Sequence, residues 1–139
     1  MKVHSAEASL TAEQHHLYEA ARSASENAYA PYSNFRVGAA LKTTRGREFM
    51  GCNVENASYG LTCCAERSAV FAAVAAEGPN MRIEAIAVYA DSPNGSPCGA
   101  CRQVLYEFGP HARVTFRADG ELRSYQVADL LPASFELKL

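Results

Sequence analysis

Apolar side chains fall along the chain with two different periods, and the places where one gives way to the other mark its elements. Leu17, Ala20, Ala21, Ala24 and Ala28 recur every three or four positions, the spacing of one helical face. Thr11 followed three residues later by Gln14 has the form of a capping box, and Pro31 bars continuation. The pattern therefore predicts a first helix over about residues 12 to 29. From Phe35 the period shortens to two through Val37, Ala39 and Leu41, and after a polar turn at Arg45-Gly46 a second strand runs through Phe49 and Cys52 to Val54. Two such runs about a turn predict a β-hairpin.

A second helix is expected to begin near Thr62, with Cys64 and Glu66 in its first turn, Ala69, Val70, Ala73 and Val74 turned inward, and Gly78-Pro79 as its stop. Ile83 to Ala90 is apolar on both faces, as in a strand covered by helices on both sides. Ser96 reads as the N-cap of a third helix, Pro97 as its first residue and Gly109-Pro110 as its end, which puts Cys98 and Cys101 on one face in the first two turns. Val114, Phe116 and Ala118 then alternate, Asp119-Gly120 signals a hairpin turn, and Leu122 to Val127 return antiparallel before a short helical turn at Asp129-Leu130-Leu131. The order αββαβαββ implies an α/β fold with three layers, α/β/α, around a five-stranded mixed sheet. At 139 residues the expectation is one domain, residues 1–139.

Charge and composition narrow the function classes. Thirteen basic against fifteen acidic side chains give a net charge of −2, without the basic excess that nucleic-acid binding uses, so no nucleic-acid partner is expected. No apolar run reaches the ~20 residues of a membrane span, and Met1 to Glu13 lacks the apolar stretch of a signal peptide. A soluble, cytoplasmic protein without a membrane partner is the expectation. In that compartment five cysteines, an odd number placed as Cys52, Cys63, Cys64 and a Cys98-x-x-Cys101 pair, read as metal or redox chemistry rather than a disulfide framework.

Zinc takes deprotonated soft ligands in a tetrahedron, and a catalytic site keeps three protein ligands and one water. Cys98 and Cys101, i and i+3 on a helix, face the same way, and a βα crossover can bring Cys64 on the preceding helix beside them. Helix dipoles then aim positive ends at thiolates. Three thiolates on Zn²⁺ sum to −1, and Arg67, three residues after Cys64, is placed to offset that charge; a solvent-facing arginine is the alternative. Glu66, two residues after Cys64, cannot be the next ligand on that face but can point at metal-bound water, where a general acid/base belongs. Taken alone, a first-turn glutamate is explained by the helix dipole; the ligand-x-Glu pattern favours catalysis and selects Cys64 over its neighbour Cys63. Cys63 and Cys52 are then small buried hydrophobes, and His4, His15, His16 and His111 surface residues.

Cys64-Ala65-Glu66, with Cys98 following 34 positions after Cys64 in Pro97-Cys98-Gly99-Ala100-Cys101, resembles the signature of zinc deaminases in the variant with three cysteines. Pro31 to Leu41 (PYSNFRVGAAL), Gly51 to Gly60 (GCNVENASYG) and Ser96 to Gln103 (SPCGACRQ) look like the small, homotetrameric cytidine deaminases. The resemblance implies a cytidine deaminase-like fold, one zinc per subunit and no organic cofactor. It also implies hydrolysis of cytidine and deoxycytidine at C4 to uridine and deoxyuridine plus ammonia, as in pyrimidine salvage. By the same resemblance Asn53 and Glu55 hold the ribose, Phe35 packs on the pyrimidine, and Ala65 offers a backbone N–H to the base. Tyr59 and Phe135 reach a site from neighbouring subunits. Zinc would lower the pKa of its water toward ~7, and Glu66 would take that proton, protonate N3 and later the leaving amine. By composition alone Phe35 and Phe135 are also core aromatics, whereas Asn53 and Glu55, alternate residues at a strand end, form an unusual polar pair expected to point the same way.

Other readings remain at this point. Deaminases of nucleoside antibiotics, nucleotides and RNA bases share the metal motif. The acidic balance disfavours RNA, and enzymes of free cytidine resemble the tight antiparallel return at Asp119-Gly120. A closed structural zinc site needs a fourth ligand with no obvious candidate, and a thioredoxin-like role for Cys98 and Cys101 leaves Cys64-Ala65-Glu66 unexplained.

Overall fold

The computed structural model describes residues 10–138; His4 and the rest of the chain before residue 10 lie outside them. The first helix, α1 (Ala12–Ser25), starts on the expected capping box: the Thr11 hydroxyl accepts from the Gln14 N–H at 3.1 Å, and the Gln14 side chain accepts from the Thr11 N–H at 2.8 Å. It ends before residue 29, and tertiary structure is the reason. The Ser25 hydroxyl turns back to the Arg22 carbonyl at 2.6 Å. Tyr29 is drawn to the sheet edge beside Val54, its N–H donating to the Asn53 carbonyl at 3.0 Å. Ala28 thus belongs to a turn.

The hairpin forms as β1 (Val37–Thr43) and β2 (Glu48–Cys52), with Val54 outside the strand in isolated bridges to Tyr29 and Cys63. Then follow α2 (Ala65–Glu77), β3 (Ile83–Ala90), α3 (Gly99–Phe108), β4 (Arg113–Ala118), β5 (Glu121–Gln126) and a 3₁₀ turn over Val127–Leu130. The sheet order is β2-β1-β3-β4-β5, antiparallel throughout except for the β3–β4 pair. A parallel pair requires a crossover, and α3 provides it. Asp119 and Gly120 take positive φ, 50° and 80°, as a two-residue hairpin turn demands.

Alternation along the central strands divides the interior into two layers, giving the expected three-layer arrangement. Ala40, Ala85, Ala87 and Leu122 pack against Leu17, Tyr18 and Ala21 of α1. Ala39, Leu41, Ile86, Val88, Val114 and Phe116 pack against Ala69, Val70 and Ala73 of α2 and Leu105 of α3. Each such fully buried Val, Leu or Ile contributes about 1.5–3 kcal/mol.

Two glycines set how closely the helices approach. A Cβ on Gly38 would lie 1.9 Å from the Ala21 carbonyl oxygen, and one on Gly51 would lie 2.4 Å from the Ala69 nitrogen and 2.6 Å from the Ala65 oxygen. The first turn of α2 therefore rests directly on β2. Gly51→Ala should lower stability by about 1–3 kcal/mol in urea unfolding, whereas Gly60→Ala, whose added Cβ meets nothing within 4 Å, should leave the midpoint nearly unchanged. Equal midpoints for the two variants would show that this contact does not matter.

Candidate metal centre and adjoining cavity

The second and third helices begin later than the sequence suggests, and the difference places the chemistry. Cys64 is the N-cap of α2 and Cys98 the N-cap of α3, neither thiol making a capping hydrogen bond to the first turn of its helix. Ser96 does not cap α3, because its hydroxyl accepts from Arg102 Nη2 at 2.6 Å. Cys101 lies in the first turn of α3 and is fully buried. The Sγ atoms of Cys64, Cys98 and Cys101 all lie within 4.8 Å of one another, the one potential metal-ligating group found among the described residues. Zn–S bonds of ~2.3 Å in a tetrahedron set neighbouring sulfurs ~3.8 Å apart, so a small closure of the thiols suits zinc. Three ligands leave the fourth corner open.

Electrostatics divide the three thiols. Cys64 is held well below the usual thiol range, at about 5, by a hydrogen bond from the Cys101 thiol and then by Arg67, whose Nη2 lies 3.1 Å from Cys64 Sγ. Cys101, donating to that thiolate and deeply packed, is pushed up. Arg67 is thus turned toward the cluster, not toward solvent; its Nε is buried with no partner among the described residues. Glu66, second residue of α2, is 4% exposed. Burial raises its pKa above the usual carboxylate value, and the Cys64 charge adds to the rise.

A cavity of about 230 Å³ opens over this cluster, lined by Phe35, Asn53, Cys64, Ala65, Glu66 and Cys98, with Val88, Thr62 and the loop Asn94-Gly95-Ser96 completing its wall. It is near the lower end of ligand-pocket volumes, ~300 Å³, and fits one small molecule. A larger hollow of about 520 Å³ lies on the α1 side among Tyr18, Arg22, Tyr89 and Arg117, but the ligating thiols and the buried carboxylate stand in the smaller one. Asn34, at φ 57°, tolerates the left-handed region and turns the chain just before Phe35. Asn53 spends one amide N–H on the Phe35 carbonyl (2.8 Å), and its oxygen accepts from the Val37 N–H (2.9 Å). One N–H and one lone pair remain. Ala65, first residue of α2, has an N–H with no acceptor inside its helix.

The structure does not bring Glu55 into that cavity. Past the end of β2 the strand is no longer regular, and the Glu55 carboxylate is captured by the backbone N–H groups of Tyr32 (2.9 Å) and Ser33 (3.2 Å) and by the Ser33 hydroxyl, which lowers its pKa. With Tyr32 and Tyr59 it lines an adjoining hollow, and Thr62 is common to both. Tyr59, 78% exposed, meets Tyr32 edge-on. Phe135, 67% exposed, lies away from the cavity, with its carbonyl accepting from Gln103 Nε2 at 3.2 Å. Cys52 and Cys63 are half-buried rather than buried, with free thiols, because both sit by the sheet edge; His15, His16 and His111 are exposed.

Sequence reasoning missed the loop from Pro93 to Ser96, whose run Ser92-Pro93-Asn94-Gly95-Ser96-Pro97 signals a turn but not a cavity wall. The tip of the β4–β5 hairpin clasps it. The Gly95 N–H donates to the Arg117 carbonyl (2.8 Å), the Gly120 N–H to the Pro93 carbonyl (3.0 Å), and the Asp119 N–H to the Asn94 side chain (2.9 Å).

Residues 11–118 match the family model for the cytidine and deoxycytidylate deaminase zinc-binding region. The chain belongs to this deaminase family. It is 47% identical over 122 residues to a cytidine deaminase of Halalkalibacterium halodurans, covering 86% of this chain and 91% of that one. Among solved structures it is similar to cytidine deaminase from Burkholderia pseudomallei, with 53% identity and a TM-score of 0.81 over 91% of this chain and all of that one. The Mycobacterium tuberculosis cytidine deaminase superposes with 42% identity and a TM-score of 0.77, again over 91% of this chain and all of the other. The deaminase family makes this chain a zinc-dependent hydrolase, and the three-thiol cluster fits one zinc per subunit.

A depressed thiol pKa means that the metal-free protein carries a Cys64 thiolate above pH of about 5. Alkylation at Cys64, mapped by mass spectrometry on zinc-stripped protein, should rise through that pH, and Arg67→Gln should move the midpoint upward. An unmoved midpoint would remove Arg67 from the account of this thiolate.

Proposed function

We propose that this chain hydrolyses free cytidine and deoxycytidine at C4, releasing ammonia and leaving uridine and deoxyuridine. One observation carries the reading: a carboxylate, Glu66, buried beside three convergent thiols in a cavity that holds one small molecule. Cys64, Cys98 and Cys101 would hold the zinc, which when bound supplies the Lewis acidity that makes a water acidic enough to react near neutral pH.

Glu66 moves the protons. It takes one from the attacking water and delivers it to N3, then carries the second to the exocyclic amine, which departs as ammonia. A carboxyl group whose burial raises its proton affinity suits a group that must accept and release in one cycle. Arg67 offsets the negative charge of the thiolates. The free Ala65 N–H meets the base, Phe35 covers the pyrimidine, and the remaining Asn53 N–H reaches the ribose. Glu55 joins it from the adjoining hollow, where its charge disfavours a 5′-phosphate and favours free nucleosides. The same reading places the enzyme in the cytoplasm, in pyrimidine salvage.

Tyr59 and Phe135 are assigned to the pockets of neighbouring subunits in a homotetramer. What supports this is their exposure together with that of Leu61 and Phe71, large apolar side chains that a contact between subunits would cover, and the Arg67 Nε close to the cluster, without a partner among the described residues. Sedimentation of active protein should give a tetramer; an active monomer would remove both residues from the site.

Ammonia release from cytidine should stop with a zinc chelator and should exceed release from cytidine 5′-monophosphate. Glu66→Gln should keep zinc and fold while losing ~10²-fold to 10⁴-fold in turnover. Near-normal turnover in that variant, or an active metal-free wild type, would overturn the mechanism.

A further inference from the structure

The three thiols are held to different degrees. Cys101 is fully buried and Cys64 half-buried, whereas Cys98 is exposed, at the end of a stretch without regular structure. Packing fixes the first two; Cys98 needs something else. One turn further along, Arg102 brackets it. The Arg102 backbone N–H donates to the Cys98 carbonyl at 2.9 Å. Its side chain turns back past the start of the helix, Nε donating to the Pro97 carbonyl at 2.8 Å and Nη2 to the Ser96 hydroxyl at 2.6 Å. Nη1 donates to the Leu130 carbonyl at 3.0 Å, in the 3₁₀ turn after β5.

Three acceptors on one guanidinium define a position in a way that one acceptor does not, because the donors leave a rigid fork in fixed directions. The acceptors are the two residues before Cys98 and the carbonyl of Leu130, a buried residue of a separate element. The chain entering Cys98 is thereby tied to the body of the protein. We propose that Arg102 is a positioning residue that holds Cys98 in its ligating arrangement, so that retention of the metal depends on a side chain that does not touch it. The proposal rests on zinc being held by the three thiols, and the zinc content of the wild-type protein tests that point by itself.

The experiment follows zinc leaving the loaded, full-length protein into an excess of a chromogenic chelator, with no substrate present. Arg102→Lys keeps the charge and loses the fork; Ser96→Ala removes one of the three acceptors. Leu17→Ala, in the α1 layer on the other face of the sheet, weakens the fold without touching the loop. Zinc should leave Arg102→Lys and Arg102→Gln ~10-fold to 100-fold faster than wild type, the range for residues that orient metal ligands. Ser96→Ala should shift in the same direction by less. Leu17→Ala should melt lower but release zinc at the wild-type rate. If Arg102→Gln fails to fold, Arg102→Lys and Ser96→Ala still decide. Wild-type release from both, or equal acceleration in Leu17→Ala, would overturn the proposal.

Discussion

Two helix N-termini meeting at one end of the sheet is the constraint from which the site follows. The helix α2 leads into β3 and α3 leads out of it, and both pack on the same face. A helix that must arrive at the start of β3 and one that must depart from its end both begin at the same end of that strand. Cysteines at the two N-caps are therefore carried to one point, and the partial positive charges of both helix ends accompany them. An N-cap position offers something further: its side chain is free of the regular helix, so a thiol there can turn outward to a partner.

Around that point the environment drives two acidic groups in opposite directions. Hydrogen bonds from Cys101 and Arg67 favour the charged form of Cys64, while burial disfavours the charged form of Glu66. Adjacent groups with pKa values pushed apart divide ligand work from proton work. The separation arises from two positions of difference along the chain: position 64 caps the helix with its thiol beside an arginine, and position 66 is inside the helix and buried.

Much of this was legible in the sequence because the signals are local. Ile83 to Ala90 reads as a doubly covered strand from its own residues, and Cys64-Ala65-Glu66 with Cys98-x-x-Cys101 encodes its chemistry in spacing. What escaped depends on contacts distant in the chain. The end of α1 is decided by Tyr29 joining Val54, and the start of α3 by Arg102 claiming the Ser96 hydroxyl that capping rules assign to the helix. Asn53 and Glu55 look alike as alternate polar residues at a strand end, yet one is spent on the backbone around Phe35 and the other is taken by the turn at Tyr32-Ser33. No periodicity distinguishes them, since the difference lies in which neighbouring backbone has N–H groups to spare.

The clasp between the β4–β5 turn and the loop beside the cavity also bears on where foreign sequence can be grafted. By the usual rule that exposed two-residue turns accept insertions, Asp119-Gly120 and Arg45-Gly46 are equivalent sites for a tag, an epitope or a fused domain. They are not equivalent here. Splitting Asp119 from Gly120 would pull away the backbone groups bonded to Pro93 and Asn94, so a passenger at that turn would loosen the cavity wall from the opposite edge of the sheet. At Arg45-Gly46 the backbone bonds run to Thr43 in its own hairpin and from Thr44 to the Arg82 carbonyl, none of them part of the cavity wall, so a passenger there would stand apart from the chemistry.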